Sequence, residues 1–130
     1  MKSYLLTIAL LLFSAVAFCQ VVEFKKDIVW IDGKECITMS KEDAVSISFK
    51  DMNGTDLMLL RFIHNSRYGS LYCKVTFVAE KLSFTSQSYI YTKKILIQKL
   101  AQNKVIQNCA FDLEKLQRFI LKFDENIERY

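Results

Sequence analysis

Leu71-Tyr72-Cys73-Lys74-Val75-Thr76-Phe77-Val78-Ala79 is the stretch that decides the fold class. Leu71, Cys73, Val75, Phe77 and Ala79 alternate with Tyr72, Lys74, Thr76 and Val78. Successive side chains of a strand point to opposite faces, so a two-residue period marks a strand with one face on the core. Val45, Ile47 and Phe49 alternate with Ser46, Ser48 and Lys50 in the same way. Between the two lies Leu57 to Ile63, a nearly continuous apolar run that suits a strand inside the sheet. Leu82 to Thr85 adds a short strand behind.

The intervals between these runs carry turn residues. Asp32-Gly33 separates Ile28–Ile31 from Cys36–Met39, a strong hairpin signal. Ser40 to Asp43 reads as a polar turn, Asn53-Gly54 as the next, and His64 to Ser70 as a polar loop around Gly69. The strands therefore form an antiparallel meander of about five or six members. After Ser88 the period lengthens: Tyr89, Thr92, Ile95, Leu96 and Leu100 predict a helix over 89–102. Val105-Ile106 is a brief extended connection. Asp112 is placed to cap a second helix, with Glu114 suited to its positive start. Leu113, Leu116, Ile120, Phe123 and Ile127 give that helix its apolar stripe.

Strands followed by helices make an α+β domain with both helices on one sheet face. The shared core is expected to contain Val45, Ile47, Phe49, Cys73, Val75, Phe77, Leu116, Ile120 and Phe123. The opposite face then presents Ser46, Ser48, Lys50, Tyr72, Lys74 and Thr76 to solvent.

The first 19 residues are a different kind of sequence. Lys2 is their only charge, and the apolar run Leu5 to Phe13 leads into Ser14-Ala15-Val16-Ala17-Phe18-Cys19. A positive start, a short apolar stretch and small residues before a polar one make a secretory signal peptide. Ala17 and Cys19 fit the small subsites, cleavage falls before Gln20, and residues 20–130 remain as one domain. The run is shorter than the roughly 20 residues a spanning helix needs, so no transmembrane span follows signal removal. Val16-Ala17-Phe18-Cys19 also has the outline of a lipid-attachment signal, although Phe18 stands where that pathway favours a small residue. A lipid on Cys19 defines an alternative, an envelope-tethered structural lipoprotein.

Composition narrows the function classes. Apolar residues are 52% of the chain, enough for a packed core. The formal charge of +4 drops to +3 when Lys2 leaves. Lys25-Lys26 and Lys93-Lys94 are the adjacent basic pairs, and the rest of the charge is dispersed, unlike the basic stripe of a nucleic-acid binder. Cys36, Cys73 and Cys109 remain after cleavage. Export permits a disulfide, with three pairings open and one thiol left over; three buried thiols are the other option.

Three stretches together carry a resemblance. They are Ile31-Asp32-Gly33-Lys34-Glu35; Lys93-Lys94-Ile95-Leu96 with Asn103-Lys104-Val105-Ile106; and Phe111-Asp112-Leu113-Glu114-Lys115-Leu116 with Phe119-Ile120-Leu121-Lys122-Phe123. Behind a signal ending at Gln20, this layout resembles small exported proteins of Bacteroidota. The resemblance implies a bacterial envelope or secreted setting and carries over no functional residue.

Reactive residues are sparse. His64 is the single histidine, and Cys73 could approach it across a hairpin, a thiol–base pair of the kind a thiol-dependent enzyme uses. Zinc needs three or four compactly spaced ligands, whereas Cys36, His64, Cys73 and Cys109 span the chain. No phosphate loop or dinucleotide fingerprint is present, so no cofactor and no metal are expected. Glu42 with Asp43, and Asp51 with Asp56, read as solvated turn carboxylates. Asn53-Gly54-Thr55 has the form of a glycosylation acceptor and is equally a turn. Trp30 reads as core or sheet-edge packing rather than a sugar platform. The remaining site is the face opposite the helices: Lys50, Arg61, Tyr72, Lys74 and Thr76, residue types that suit a protein or anionic glycan. The leading expectation is a non-catalytic exported domain that binds an envelope or secreted protein.

Overall fold

The computed structural model describes residues 20–87 and 92–128. The segment 1–19, read above as a signal peptide, and Tyr89 lie outside the described residues. Seven strands follow one another in a single antiparallel sheet: β1 (Val22–Lys25), β2 (Ile28–Ile31), β3 (Lys34–Asp43), β4 (Ser46–Asp51), β5 (Asp56–Ser66), β6 (Gly69–Phe77) and β7 (Leu82–Ser86). Helix α1 (Lys93–Gln102), a small hairpin of β8 (Ile106–Gln107) and β9 (Ala110–Phe111), and helix α2 (Leu113–Phe123) complete the fold. The meander followed by two helices is as expected, with one strand more than the upper count.

The additional strand is β1, and its turn explains why sequence alone misses it. Lys26 and Asp27 join β1 to β2 with φ of 50° and 63°. Asp32 and Gly33 join β2 to β3 with φ of 51° and 79°. Both turns put two successive residues at positive φ, the requirement of the tight hairpin turn that matches strand twist. Only the second contains glycine. Asn108 and Cys109 repeat the conformation, with φ of 51° and 62°, between β8 and β9. A disulfide joins Cys109 to Cys36 on β3, fastening that hairpin to the sheet. At the other end of the sheet, β5 and β6 pair as far as Ser66 with Gly69. His64 is therefore a strand residue opposite Leu71, not part of a loop.

Register sorts the side chains. Phe49 stands opposite Met39 and Met58, Met58 opposite Phe77, Leu60 opposite Val75, and Val75 opposite Phe84. These rows form the helix-facing side. Phe49, Cys73, Val75, Phe77 and Leu116 are buried in the core, while Ile47, Ile120 and Phe123 are half-buried against it. Val45 is not in this core: it lies in the turn ahead of β4, where its N–H donates to the Asp43 carboxylate at 2.8 Å.

Helix α1 starts at Thr92, whose hydroxyl accepts from the Ile95 N–H at 3.2 Å. It buries Leu96, Ile97 and Leu100 and packs near β1 and β8. Helix α2 is capped by Asp112, which accepts from the Lys115 N–H at 3.2 Å, and it packs near β7. Its buried stripe is Leu116 and Phe119, with Phe119 edge-on to Phe84 at 5.4 Å. Leu113, expected in the stripe, is the first helical residue, at the stripe's margin, and is exposed. The helix ends at Phe123, one turn before Ile127, because Asp124 adopts an extended backbone and turns its side chain toward β7.

Candidate functional site

The face turned away from the helices is built from the other register. Ser46 stands opposite Arg61, Arg61 opposite Lys74, and Lys74 opposite Thr85, a row of hydroxyl, cation, cation and hydroxyl across β4 to β7. One row toward the β5–β6 tip, Ile63 faces Tyr72; one row the other way, Leu59 faces Thr76. The sheet thus gathers Arg61, Tyr72, Lys74 and Thr76. Lys50 stands apart, opposite Asp56 beside the β4–β5 turn.

This face is less open than the alternation implies. Ser46, Ser48 and Tyr72 are buried, Tyr72 to 1% exposure, whereas Lys50, Lys74 and Thr76 are partly exposed and Arg61 is exposed. Tyr72 is met by the chain itself. After α2, residues 124–128 run along β7 and reach the far face. One oxygen of Asp124 accepts from the Thr85 N–H at 3.0 Å and from its hydroxyl at 3.2 Å. The Glu125 N–H donates to the Thr85 carbonyl at 3.0 Å, and the Glu125 carboxylate accepts from the Gln87 N–H. The Ile127 N–H donates to the Thr85 hydroxyl at 2.9 Å. Glu128 then places one oxygen 2.6 Å from the Tyr72 hydroxyl and the other 2.7 Å from Lys74 Nζ.

The electrostatics follow from these contacts. Burial pushes the Glu128 carboxyl up, but hydrogen bonds from Lys74 and Tyr72, with the Lys74 charge, outweigh it and hold the group below its usual range. Burial, and then the Glu128 carboxylate, push the Tyr72 hydroxyl up, so it stays a donor. Beside Arg61 lies a hollow of about 400 Å³, lined by Ser46, Ser48, Leu59 and three carboxyl residues, Glu42, Asp43 and Asp56. Arg61 Nε is 3.4 Å from the Ser46 hydroxyl. The Asp43 carboxyl is lowered chiefly by the Val45 N–H, with help from Ser46 and the Arg61 charge.

The cysteines take structural positions. Cys36 and Cys109 are paired, and Cys73 is the cysteine outside the disulfide among the described residues. Cys73 is 0% exposed on the helix-facing side, and burial pushes its thiol up to about 11. The thiolate is the nucleophile, so a sealed thiol protonated at neutral pH has no access to substrate and no reactivity toward it. His64 lies exposed on β5. Trp30 is half-buried on β2, with Lys25 Nζ 5.1 Å from its ring centre. Among the described residues no group of three His, Cys, Asp or Glu is arranged to hold a metal, and no helix is long and apolar enough to cross a membrane.

Sequence reading singled out Tyr72 and Lys74 but not their partner Glu128, nor the Thr85–Asp124 pair beside it. These contacts join residues 39 to 56 apart along the chain, beyond the reach of any local pattern. The charged residues after Phe123 gave one usable signal: Asp124, Glu125 and Glu128 put three carboxylates within five residues of a chain with excess positive charge. No family model, curated protein or solved structure matches this chain.

Proposed function

We propose that the chain is an exported, non-catalytic binding domain, and that its far sheet face holds a protein partner presenting carboxylates. Glu128 carries the reading. On this face a carboxylate is already gripped by a phenol and an ammonium, at 2.6 and 2.7 Å, which is the geometry of strong charge-assisted hydrogen bonds. Arg61 extends the same chemistry one strand further and is exposed. Tyrosine and arginine are enriched where proteins meet. The Cys36–Cys109 disulfide suits an oxidising compartment, which supports the export reading and a partner in the envelope or outside the cell.

The test uses the purified chain and a Glu-rich decapeptide, with a Lys-rich decapeptide as control. The reading predicts salt-sensitive binding of the acidic peptide alone. Replacing Arg61 and Lys50 together by Ala should weaken it about tenfold, two partly exposed ion pairs at up to roughly 1 kcal/mol each. Equal binding of the two peptides, or an affinity indifferent to the double substitution, overturns it.

A further inference from the structure

Residues 124–128 are held in a particular way. None of them is buried: Asp124, Ile127 and Glu128 are partly exposed, and Glu125 and Asn126 are exposed. Their attachments are the polar bonds to Thr85, Gln87, Tyr72 and Lys74. A segment without buried apolar anchors opens locally at low free energy. Beneath it lies β7, the outermost strand of the sheet. Opening bares the Thr85 N–H and carbonyl and the Gln87 N–H on that edge, together with the Tyr72 phenol and the Lys74 ammonium around its rim. Edge strands with unpaired backbone groups accept added peptide segments, backbone bonds giving affinity and side-chain pockets giving specificity.

We propose that the β7 edge with Tyr72 and Lys74 is a recognition site for an acidic segment of a partner protein, and that residues 124–128 occupy it in cis until such a segment displaces them. The inference rests on the far-face reading and names its partner class. The occupant supplies the pattern. Asp124 and Glu125 bond the strand edge, Asn126 turns the chain at φ 52°, and Glu128 reaches over the rim. The Asp124 carboxylate also accepts from the Asn126 N–H at 2.9 Å, which fixes the turn. A competing segment therefore carries carboxylates at its first, second and fifth positions, with Asn or Gly at its third to take the positive φ.

The experiment uses a labelled synthetic copy of residues 124–130 and the full chain, read by fluorescence anisotropy. Glu128→Gln removes the charge that holds the segment on Tyr72 and Lys74 and leaves the core untouched. The variant is expected to bind the peptide about five- to tenfold more tightly than the unaltered chain, because a larger fraction has a vacant edge. Adding Tyr72→Phe and Lys74→Ala to the variant should weaken binding at least tenfold, with near-ultraviolet circular dichroism reporting that the fold is kept. Equal affinity of the unaltered chain and Glu128→Gln overturns competition in cis. Absence of binding to a folded Glu128→Gln chain overturns the site, and equal binding of a scrambled peptide overturns the pattern. In each of these cases the decapeptide response of Arg61 and Lys50 is read separately, so the far-face reading stands or falls on its own result.

Discussion

The Tyr72 hydroxyl donates to Glu128 across 56 residues of sequence, at 2.6 Å, while Lys74 holds the other carboxylate oxygen. This contact ties the segment beyond α2 to β6, one strand in from the sheet edge. It is also a titratable bond. Glu128 in the folded chain sits below its usual carboxylate value of 4.5. A group lowered by folding stabilises the fold fully above its unfolded value and loses that contribution as pH falls through the folded one. Hydrogen-exchange protection of the Ile127 amide should therefore hold from neutrality to about pH 5 and be lost only in more acid solution. Glu128→Gln should abolish the step. A midpoint at or above 4.5 contradicts the contact.

The disulfide gives a second expectation. Cys36 and Cys109 are 73 residues apart, and closing a loop of that length removes about 4 kcal/mol worth of unfolded-state entropy. Cys36→Ser with Cys109→Ser should lower the unfolding free energy by roughly 2–5 kcal/mol in urea titration. Cys73, sealed in the core, should resist alkylation in the native chain and react once the chain is denatured. Rapid native labelling of Cys73 contradicts the packing.

Helix α2 separates two apolar residues sharply. Phe119 is 2% exposed against Phe84, whereas Leu121 points about 150° away from the buried stripe and is 86% exposed. Phe119→Ala should cost about 3–5 kcal/mol through lost burial and the cavity left behind. Leu121→Ala should change stability by less than about 0.5 kcal/mol. Similar unfolding midpoints for the two variants would show the helix rotated from the described position.

Export is tested by the intact mass of the protein secreted by a bacterial host. The expected species begins at Gln20 and weighs two hydrogens less than the reduced chain. A species extended to Cys19 and carrying acyl chains would replace the free domain with the lipid-tethered alternative.

Much of the fold was legible in single side chains. The alternation of Val75 and Phe77 with Lys74 and Thr76 carries both the strand and its buried face, because a two-residue period leaves no second solution. Asp112 announced α2 because a carboxylate there meets unpaired N–H groups. Strand β1 was illegible: Lys26 and Asp27 take left-handed backbone without glycine, held there by the pairing of the flanking strands. Ile127 misled for a related reason, since its spacing continues the helix while Asp124 is drawn away by Thr85. At the site, Tyr72 and Lys74 were visible as residue types on one face, but the partner they share is a carboxylate more than 50 residues distant. Long-range partners of this kind leave no periodic trace.

The most direct measurement is a nitrogen-15 NMR titration of the chain with the Glu-rich decapeptide. If the far face is the binding surface, shift changes concentrate on Ser46, Ser48, Arg61 and Thr76, and the outer face of α2 at Gln117 and Leu121 stays unchanged. Changes centred on α2, or none at saturating peptide, would contradict the account.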